Sequence, residues 1–233
     1  MLRLIRLDAR LSLAYDLYDP CDLAADIGTD HAHLPAALLQ RGRCRHMILT
    51  DLSESALRNA RDEMIRLRLT DRVTLRSGSG LEPLSEECGM ISVTGMGGRT
   101  IRDILLGGRD RLRGASLILS AHTDLPLIRE AVQQIGYHLD REEPCYCAGR
   151  YYLVLRARPG ARPVSPREIR LGGPLFESSS EQLIPWITRR RDVLLDRLRG
   201  LLSAGEPDGD QISQVREDIA FYENFIRKGR RTP

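Results

Sequence analysis

The segment from Asp26 to Pro35, at the end of the first predicted strand, contains two carboxylates and one glycine. Gly28 lets the backbone approach a ligand closely. The second and third glycines of a dinucleotide fingerprint are missing, and Asp30 takes the place of one. A pyrophosphate prefers amides and positive charge, so Asp26 and Asp30 would repel it, whereas they would attract a sulfonium and an ammonium. The loop therefore favours S-adenosylmethionine over NAD. We assign Asp26, Gly28, Asp30 and His31 to that cofactor.

The second and third predicted strands end in residues that could hold a nucleoside. Asp51 ends the second strand, where a carboxylate can accept both hydroxyls of a ribose. Its alternative role is to cap the following helix. Leu52 is assigned to the same ligand. Ser79 and Gly80 follow the third strand, where an adenine ring is usually held by backbone amides and a small side chain. A plain glycine turn is the alternative reading there.

The fourth predicted strand ends in a run with three glycines, from Gly95 to Arg99. We assign Gly95 and Met96 to the cofactor. Gly97 and Gly98 permit close approach of a substrate ring and a departing methyl group, and Arg99 could contact a phosphate. A flexible loop is the alternative reading.

His31 and His33 do not complete a metal site. A zinc site needs further ligands, and no spaced set of cysteines or carboxylates accompanies the two histidines. We predict no metal, with His31 hydrogen-bonding in the cofactor pocket and His33 as a structural histidine.

Short apolar runs alternate with helical patterns from about residue 20, which predicts a parallel sheet with helices on both faces. Ser53 is the predicted N-cap of one of these helices, and another helix is predicted before the sheet, over residues 4–18. The predicted strands are 23–27, 47–50, 73–75, 90–93 and 117–119, and the predicted helices after them are 34–40, 54–68, 100–106 and 124–135. Residues 137–142 and 151–156 follow without a helix between them, as a terminal antiparallel pair.

The pattern changes after a linker at residues 158–163. Ile187, Leu194, Leu198 and Leu201 share one helical face, and Gly205–Gly209 breaks the chain. Apolar residues then recur at three- and four-residue steps from Ile212 to Ile226. We predict an α/β fold, a Rossmann-like methyltransferase domain with a mostly parallel seven-stranded sheet, plus a C-terminal α-helical, coiled-coil-like hairpin. The predicted domains are 1–160 and 161–233.

Composition and charge indicate an ordinary cytoplasmic protein. The net charge is +3, hydrophobic residues make up 42% and charged residues 29%. No apolar run approaches the ~20 residues of a membrane span, and the five cysteines do not form a disulfide framework. Three basic groups could contact a polyanion if they converge, although each could be a solvated face: Arg189–Arg191, Arg227–Arg231, and Arg3 with Arg6 and Arg10.

Four segments together resemble a known family. They are Ala25-Asp-Ile-Gly-Thr-Asp-His-Ala-His-Leu-Pro35, Asp51, Gly78-Ser-Gly-Leu-Glu82 and Gly95-Met-Gly-Gly98. In these the chain resembles the TrmK-type tRNA adenine-N1 methyltransferases, from about Leu4 to Arg156 and more loosely at residues 172–176. The resemblance implies S-adenosylmethionine as cofactor and adenine 22 of the tRNA D-loop as target. It also implies a Rossmann-like domain followed by a coiled-coil-like helical region.

The chain departs from that family at three places. Ser79 stands where the family usually has Asp, and His33 where it usually has Tyr. Ser120-Ala121-His122 stands where the family usually has Gln-Pro-Asn. These last positions would lie near the substrate base, and we assign His122 to substrate binding.

The chemistry that the resemblance implies needs no strong base. Adenine N1 carries a lone pair that can attack the sulfonium methyl, and a carboxylate near the exocyclic amine would stabilise the developing positive charge. Asp30 is the candidate catalytic residue, while orienting the cofactor ammonium or capping the next helix are its alternatives.

Two other functions stay open from the sequence. The chain could be a Rossmann methyltransferase for a small molecule or protein, or a protein that binds S-adenosylmethionine or RNA without turnover. Its hairpin could contact tRNA or a second copy, so a monomer or a weak homodimer is expected.

Overall fold

Seven strands form one sheet in a computed structural model that describes residues 4–204 and 208–229. The strands are β1 (Cys21–Ile27), β2 (Cys44–Asp51), β3 (Val73–Ser77), β4 (Met90–Thr94), β5 (Ser116–Ala121), β6 (Tyr137–Cys147) and β7 (Arg150–Pro159). Their order is β3-β2-β1-β4-β5-β7-β6. The first five are parallel, and β7 lies antiparallel between β5 and β6. This is the predicted methyltransferase-type sheet.

The chain reverses its direction across the sheet between β1 and β4. After β1 it moves outward to β2 and β3, and it then returns to β4 on the other side of β1. Ligands of open α/β sheets bind at such a point, outside the carboxyl ends of the strands. The central strands are apolar and buried, as a sheet covered on both faces requires.

Helices accompany the sheet, and the four that follow its parallel strands lie at nearly the predicted positions. They are α1 (Ala9–Asp16), α2 (His33–Gln40), α3 (Glu54–Arg66), α4 (Gly98–Gly107), α5 (Leu125–Gln134) and α6 (Pro166–Leu171). Ser53 caps α3 as predicted, because its hydroxyl accepts a hydrogen bond from the Ala56 N–H at 3.3 Å. Such a cap contributes about 1 kcal/mol.

The predicted start of the first helix, at Leu4, is wrong. Asp8 accepts a hydrogen bond from the Leu11 N–H at 2.7 Å, so the helix begins at Ala9 and residues 4–8 lie outside it. Leu11 and Tyr18 are buried.

The segment between β7 and the C-terminal helices belongs to the first of two compact units, which divide between Ser178 and Ser179. Glu142 on β6 is fully buried and accepts hydrogen bonds from Arg129 Nε at 2.7 Å, the Gly173 N–H at 3.0 Å and the Leu175 N–H at 3.3 Å. One carboxylate therefore ties this segment to α5 and the sheet. The predicted domain boundary between residues 160 and 161 stays a prediction.

The second unit holds two long helices, α7 (Leu183–Leu202) and α8 (Gly209–Gly229), which pack on each other. The predicted apolar face of α8 is buried at Val215, Ile219, Tyr222 and Ile226, and Ile212 is half-buried. The predicted chain break at 205–209 lies partly outside the described residues. Within the described ranges, no helix is both long and apolar enough to cross a membrane.

Candidate active site

Two cavities meet at Gly28, at the carboxyl ends of β1, β2 and β4. The Asp51 cavity, of about 360 Å³, lies on the β2 and β3 side. The Asp30 cavity, of about 310 Å³, lies between the β1–α2 loop and α1. The predicted cofactor residues are divided between these two cavities.

The Asp51 cavity is acidic. Three carboxylates line it, from Asp51, Glu82 and Asp103, and none of its described lining residues is Lys or Arg. Asp103 is paired with its neighbour Arg102, which compensates one of these charges. A pyrophosphate would find no positive charge in this cavity, whereas a nucleoside attached to a cationic group would.

Asp51 presents one free carboxylate oxygen to its cavity. Its Oδ1 accepts a hydrogen bond from the Ser53 N–H at 2.8 Å, which fixes the side chain at the entry to α3. Its Oδ2 has no partner among the described residues and can accept from a ribose. The alternative role as N-cap belongs to Ser53. Leu52 is 71% exposed beside it and offers an apolar surface to a ring.

Ser79 and Gly80 lie on the opposite wall of the Asp51 cavity. Gly80 has φ +51°, and a Cβ there would lie 3.2 Å from Ile104 Cγ1. Ser79 is exposed and carries no charge. The site thus has a small hydroxyl where the resembled family usually has a carboxylate.

Gly28 separates the two cavities and has no room for a side chain. Its φ is +74°, and a Cβ would lie 1.9 Å from Met96 Cε. The Met96 thioether therefore lies directly over the loop. Gly95, before it, has φ +82° and faces Arg10 across the Asp30 cavity.

Asp26 lies at the inner end of the Asp30 cavity. It is 6% exposed, and the Ser92 hydroxyl donates to its Oδ1 at 2.5 Å. Burial raises the pKa of the Asp26 carboxyl to about 6, although the Ser92 hydrogen bond and the charge of Arg10 oppose that rise. Near neutral pH this carboxylate is ionised and poorly solvated, so it favours a cationic partner.

Asp30 is held in place from α3. The Asn59 side-chain amide donates to Asp30 Oδ1 at 3.0 Å, and His31 Nε2 lies 3.3 Å from Oδ2. Asp30 does not cap α2, since the N-cap residue Ala32 has no side-chain cap. His33 stacks on His31 with ring centroids 5.7 Å apart. The exposed carboxylate of Asp30 is thus oriented and available to a ligand.

The predicted substrate residues after β4 serve packing as well. Gly98 is buried, and a Cβ there would lie 2.6 Å from the Thr123 carbonyl oxygen. A Cβ on Gly97 would lie 3.6 Å from Thr123 Oγ1. These glycines bring the start of α4 against the loop after β5. Arg99 is exposed and has no ion-pair partner among the described residues.

Arg10 lies in the Asp30 cavity, not with Arg6 on the outer surface. Its guanidinium lies 5.5 Å from the centre of the Tyr152 ring, and its buried Nη1 has no hydrogen-bond partner in the described structure. His122 meets the same ring edge-on at 5.5 Å. The third member of the predicted basic group, Arg3, lies outside the described residues.

Sequence reasoning assigned no site role to Asn59, Arg10 or Tyr152. Each comes from an element distant in sequence from the loop that it supports. The positive charge of Arg10 was its only signal, and Arg10 was grouped with Arg3 and Arg6 as a possible contact for a polyanion. Among the described residues, no group of three or more His, Cys, Asp or Glu side chains could hold a metal ion.

The basic residues of the second unit differ in their exposure and in their contacts. Arg190 lies 5.7 Å over the ring of the buried Trp186, and Arg191 pairs with Asp192 at 2.6 Å. Arg189 is exposed and without an ion-pair partner in the described chain, as are Arg227 and Lys228. Arg230 and Arg231 lie outside the described residues.

Comparison with known proteins places the chain among methyltransferases. A family model described as a methyltransferase domain matches residues 7–155. The tRNA (adenine(22)-N(1))-methyltransferase of Bacillus subtilis (strain 168) is 27% identical over 216 residues, which are 91% of this chain and 88% of that protein.

Solved structures share the fold over nearly the whole chain. The B. subtilis M1A22 tRNA methyltransferase TrmK superposes with a TM-score of 0.84 at 24% identity, covering 95% of this chain and 99% of its own. M. capricolum TrmK in complex with S-adenosyl-homocysteine superposes with a TM-score of 0.80 at 21% identity, covering 95% of this chain and 98% of its own.

Proposed function

This chain belongs to the methyltransferase domain family, and we propose that it transfers a methyl group from S-adenosylmethionine to N1 of an adenine in the tRNA D-loop. The B. subtilis relative carries that activity in its name. Residues 1–160 would form the catalytic domain and residues 161–233 the helical hairpin.

The negative charge of the Asp51 cavity is the main observation that favours S-adenosylmethionine as the cofactor. The Asp51 cavity holds three carboxylates and no basic side chain among its described lining residues, at the point where nucleotide-binding sheets place their ligand. S-adenosylmethionine has a nucleoside, a sulfonium and no phosphate, so it fits where a dinucleotide would be repelled.

The Asp30 cavity complements the amino-acid end of the same molecule. Asp26 supplies a buried carboxylate for an α-ammonium, and the unpartnered Nη1 of Arg10 supplies a donor for an α-carboxylate. Asp51 Oδ2 is free for the ribose hydroxyls. The residues present therefore fit this cofactor, which when bound supplies a methyl group on a sulfonium.

Asp30 acts on the substrate amine. N1 of adenine attacks with its own lone pair, and the ring becomes cationic. The Asp30 carboxylate, oriented by Asn59, stabilises that charge and can accept a proton from the exocyclic amine. Holding both partners in line supplies much of the remaining rate. We assign His122 and the glycines after β4 to the entry of the base.

The target base must be unpaired, since N1 lies on the Watson–Crick edge. Proteins that reach such bases in RNA contact phosphates with basic side chains. Arg99 near the site, and Arg189, Arg227 and Lys228 on the hairpin, are exposed cations without described ion-pair partners. We assign them to phosphate contacts.

The test is methyl transfer from labelled S-adenosylmethionine to an unmethylated tRNA transcript, followed by nucleoside analysis. Wild-type protein should form 1-methyladenosine. Asp30→Ala should lower kcat by about 10²- to 10⁴-fold, because it removes a group that acts in the transition state. Its affinity for the cofactor, measured by calorimetry, should change far less.

Asp62→Ala is the matched control, because Asp62 is an exposed carboxylate on α3 that lines neither cavity. It should retain wild-type kcat. Label absent from every tRNA tested, although cofactor binds, would refute the tRNA substrate. An equal loss of kcat in Asp30→Ala and Asp62→Ala would refute the role of Asp30. Sedimentation of the same samples separates monomer from homodimer.

A further inference from the structure

The β6–β7 hairpin extends past its neighbour at the edge of the sheet where the site lies. β5 ends at Ala121, which pairs with Leu153. Arg150, Tyr151 and Tyr152 continue beyond it, by roughly 10 Å at the rise of a β-strand. Ala148 and Gly149 close the hairpin with φ values of +48° and +79°. A turn with two left-handed residues matches strand twist and holds such a hairpin rigid.

Two tyrosines face each other across this hairpin. Tyr146 pairs with Tyr151, and their ring centroids lie 4.8 Å apart. Tyr146 is 50% exposed, whereas every other aromatic side chain in the described ranges is buried or half-buried. A cross-strand contact alone does not require so much exposed ring, so the Tyr146 face is available to another molecule.

The pair lies at the edge of the sheet where the site lies, on the opposite face of the hairpin from Tyr152. Successive side chains of a strand point to opposite faces, and Tyr152, next to Tyr151, contacts both Arg10 and His122. A nucleic-acid strand that delivers one base to Asp30 on the Tyr152 side and continues around the end of this hairpin reaches the Tyr146 face.

The charge beside the tyrosines selects the partner. Arg150 is exposed, and no carboxylate of the described chain pairs with it. An aromatic face beside an unpaired cation is the combination that binds unpaired nucleotides, since the ring stacks on a base and the cation contacts a phosphate. A purely apolar partner would gain nothing from Arg150.

We propose that Tyr146, Tyr151 and Arg150 form a stacking platform for an unpaired nucleotide that flanks the target adenine. This inference rests on the proposed function, because it takes RNA as the substrate. A target base that must leave its stack exposes its neighbours, and a platform that holds one neighbour fixes the register of the target.

The test compares Tyr146→Leu with Tyr146→Phe in the full-length protein. Leucine keeps an apolar contact with Tyr151 but has no ring, whereas phenylalanine keeps the stacking face. Fluorescence anisotropy measures binding of an unmethylated tRNA transcript, and methyl transfer gives KM and kcat. Tyr146→Leu should weaken tRNA binding by roughly 5- to 100-fold and raise KM to match. The kcat and the affinity for S-adenosylmethionine should stay at wild-type values.

Tyr146→Phe should keep wild-type tRNA binding because its ring remains, whereas a role of the hydroxyl predicts a loss. Arg150→Ala is a second variant and should weaken binding at low salt more than at high salt. Thermal unfolding of each variant shows whether the hairpin is intact.

The outcomes separate the two proposals. If wild-type protein methylates the transcript and Tyr146→Leu, Arg150→Ala and wild type bind it equally, the platform alone is overturned. If wild-type protein binds the transcript but transfers no methyl group, the proposed function is overturned. The difference in tRNA binding between Tyr146→Leu and Tyr146→Phe still tests the platform. Absence of tRNA binding by the wild type overturns both.

Discussion

At the scale of single residues, Asp26 at the end of β1 and Asp30 in the loop after it have different environments. Asp26 is buried beneath Gly28 and hydrogen-bonded to Ser92, while Asp30 is exposed and oriented by Asn59. A buried carboxylate near a bound cation gains affinity from poor solvation, whereas an exposed one can exchange a proton. This difference is the basis for assigning Asp26 to the cofactor and Asp30 to the substrate.

Asp26→Asn tests the energetic cost of that burial. The pKa of about 6 in the folded state lies above the usual carboxyl value, so the fold favours the protonated form. Its contribution to stability is full below about pH 4 and is lost as pH rises to about 6. The variant should therefore be more stable than wild type at pH 7.5, by up to about 3 kcal/mol, with the gain shrinking toward pH 4.

Urea unfolding without cofactor, at several pH values, measures this difference. Calorimetry on the same variant should show weaker binding of S-adenosylmethionine, because a carboxylate is missing. A stability difference that does not change with pH would contradict the assigned environment of Asp26.

At the scale of elements, the loops after β4 and β5 are joined by close backbone approach at Gly98. Helix α4 starts there, so its position sets Gly97 and Arg99 together. The residues around the substrate entry are thus fixed by packing between two loops.

Gly98→Ala should destabilise the fold by about 1–3 kcal/mol, because an added Cβ meets the Thr123 and Asp124 backbone. Gly107→Ala is the matched change in the same helix, where a Cβ meets nothing within 4 Å. It should be neutral or slightly stabilising, since alanine favours helix. Urea unfolding measures the free energy of unfolding of both variants. An equal change in the two would refute the close approach of Gly98 to the loop after β5.

The sequence predicted which strands and helices form better than it predicted where they begin and end. Strand–helix alternation gave the sheet and its terminal antiparallel pair, because buried parallel strands are continuous apolar runs. The start of α1 was missed because Asp8, not Leu4, caps the helix. α6 was not predicted, since its six residues are too few to show a periodic pattern. In the site, Arg10 and Asn59 were missed because their roles depend on contacts between distant elements.

At the scale of the whole molecule, the positive charges divide into arginines paired with nearby carboxylates and basic side chains without a described ion-pair partner. The net charge is only +3, and many arginines are engaged with nearby carboxylates. Affinity for a polyanion then depends on particular exposed side chains, among them Arg189, Arg227 and Lys228 on the two long helices.

Replacing Arg189, Arg227 and Lys228 together by alanine should weaken tRNA binding and flatten its salt dependence. Each lost phosphate contact lowers the slope of log affinity against log salt by about 1. Filter binding at several salt concentrations gives the slope. Cofactor affinity should not change.

Arg66→Ala is the control for that variant, because Arg66 is a surface arginine paired with Glu63 on α3. It should leave the slope at the wild-type value. An unchanged slope in the triple variant would exclude these three residues from RNA contact.

The meeting of two cavities at Gly28 has a consequence for inhibitor chemistry. One ligand that joins an adenosine to an amino-acid group through a short cationic linker could occupy the Asp51 and Asp30 cavities at once. Such a compound would bind through both halves without the entropy loss of bringing two molecules together. Selectivity over enzymes that bind dinucleotides would come from the missing pyrophosphate, for which these carboxylates leave no favourable place.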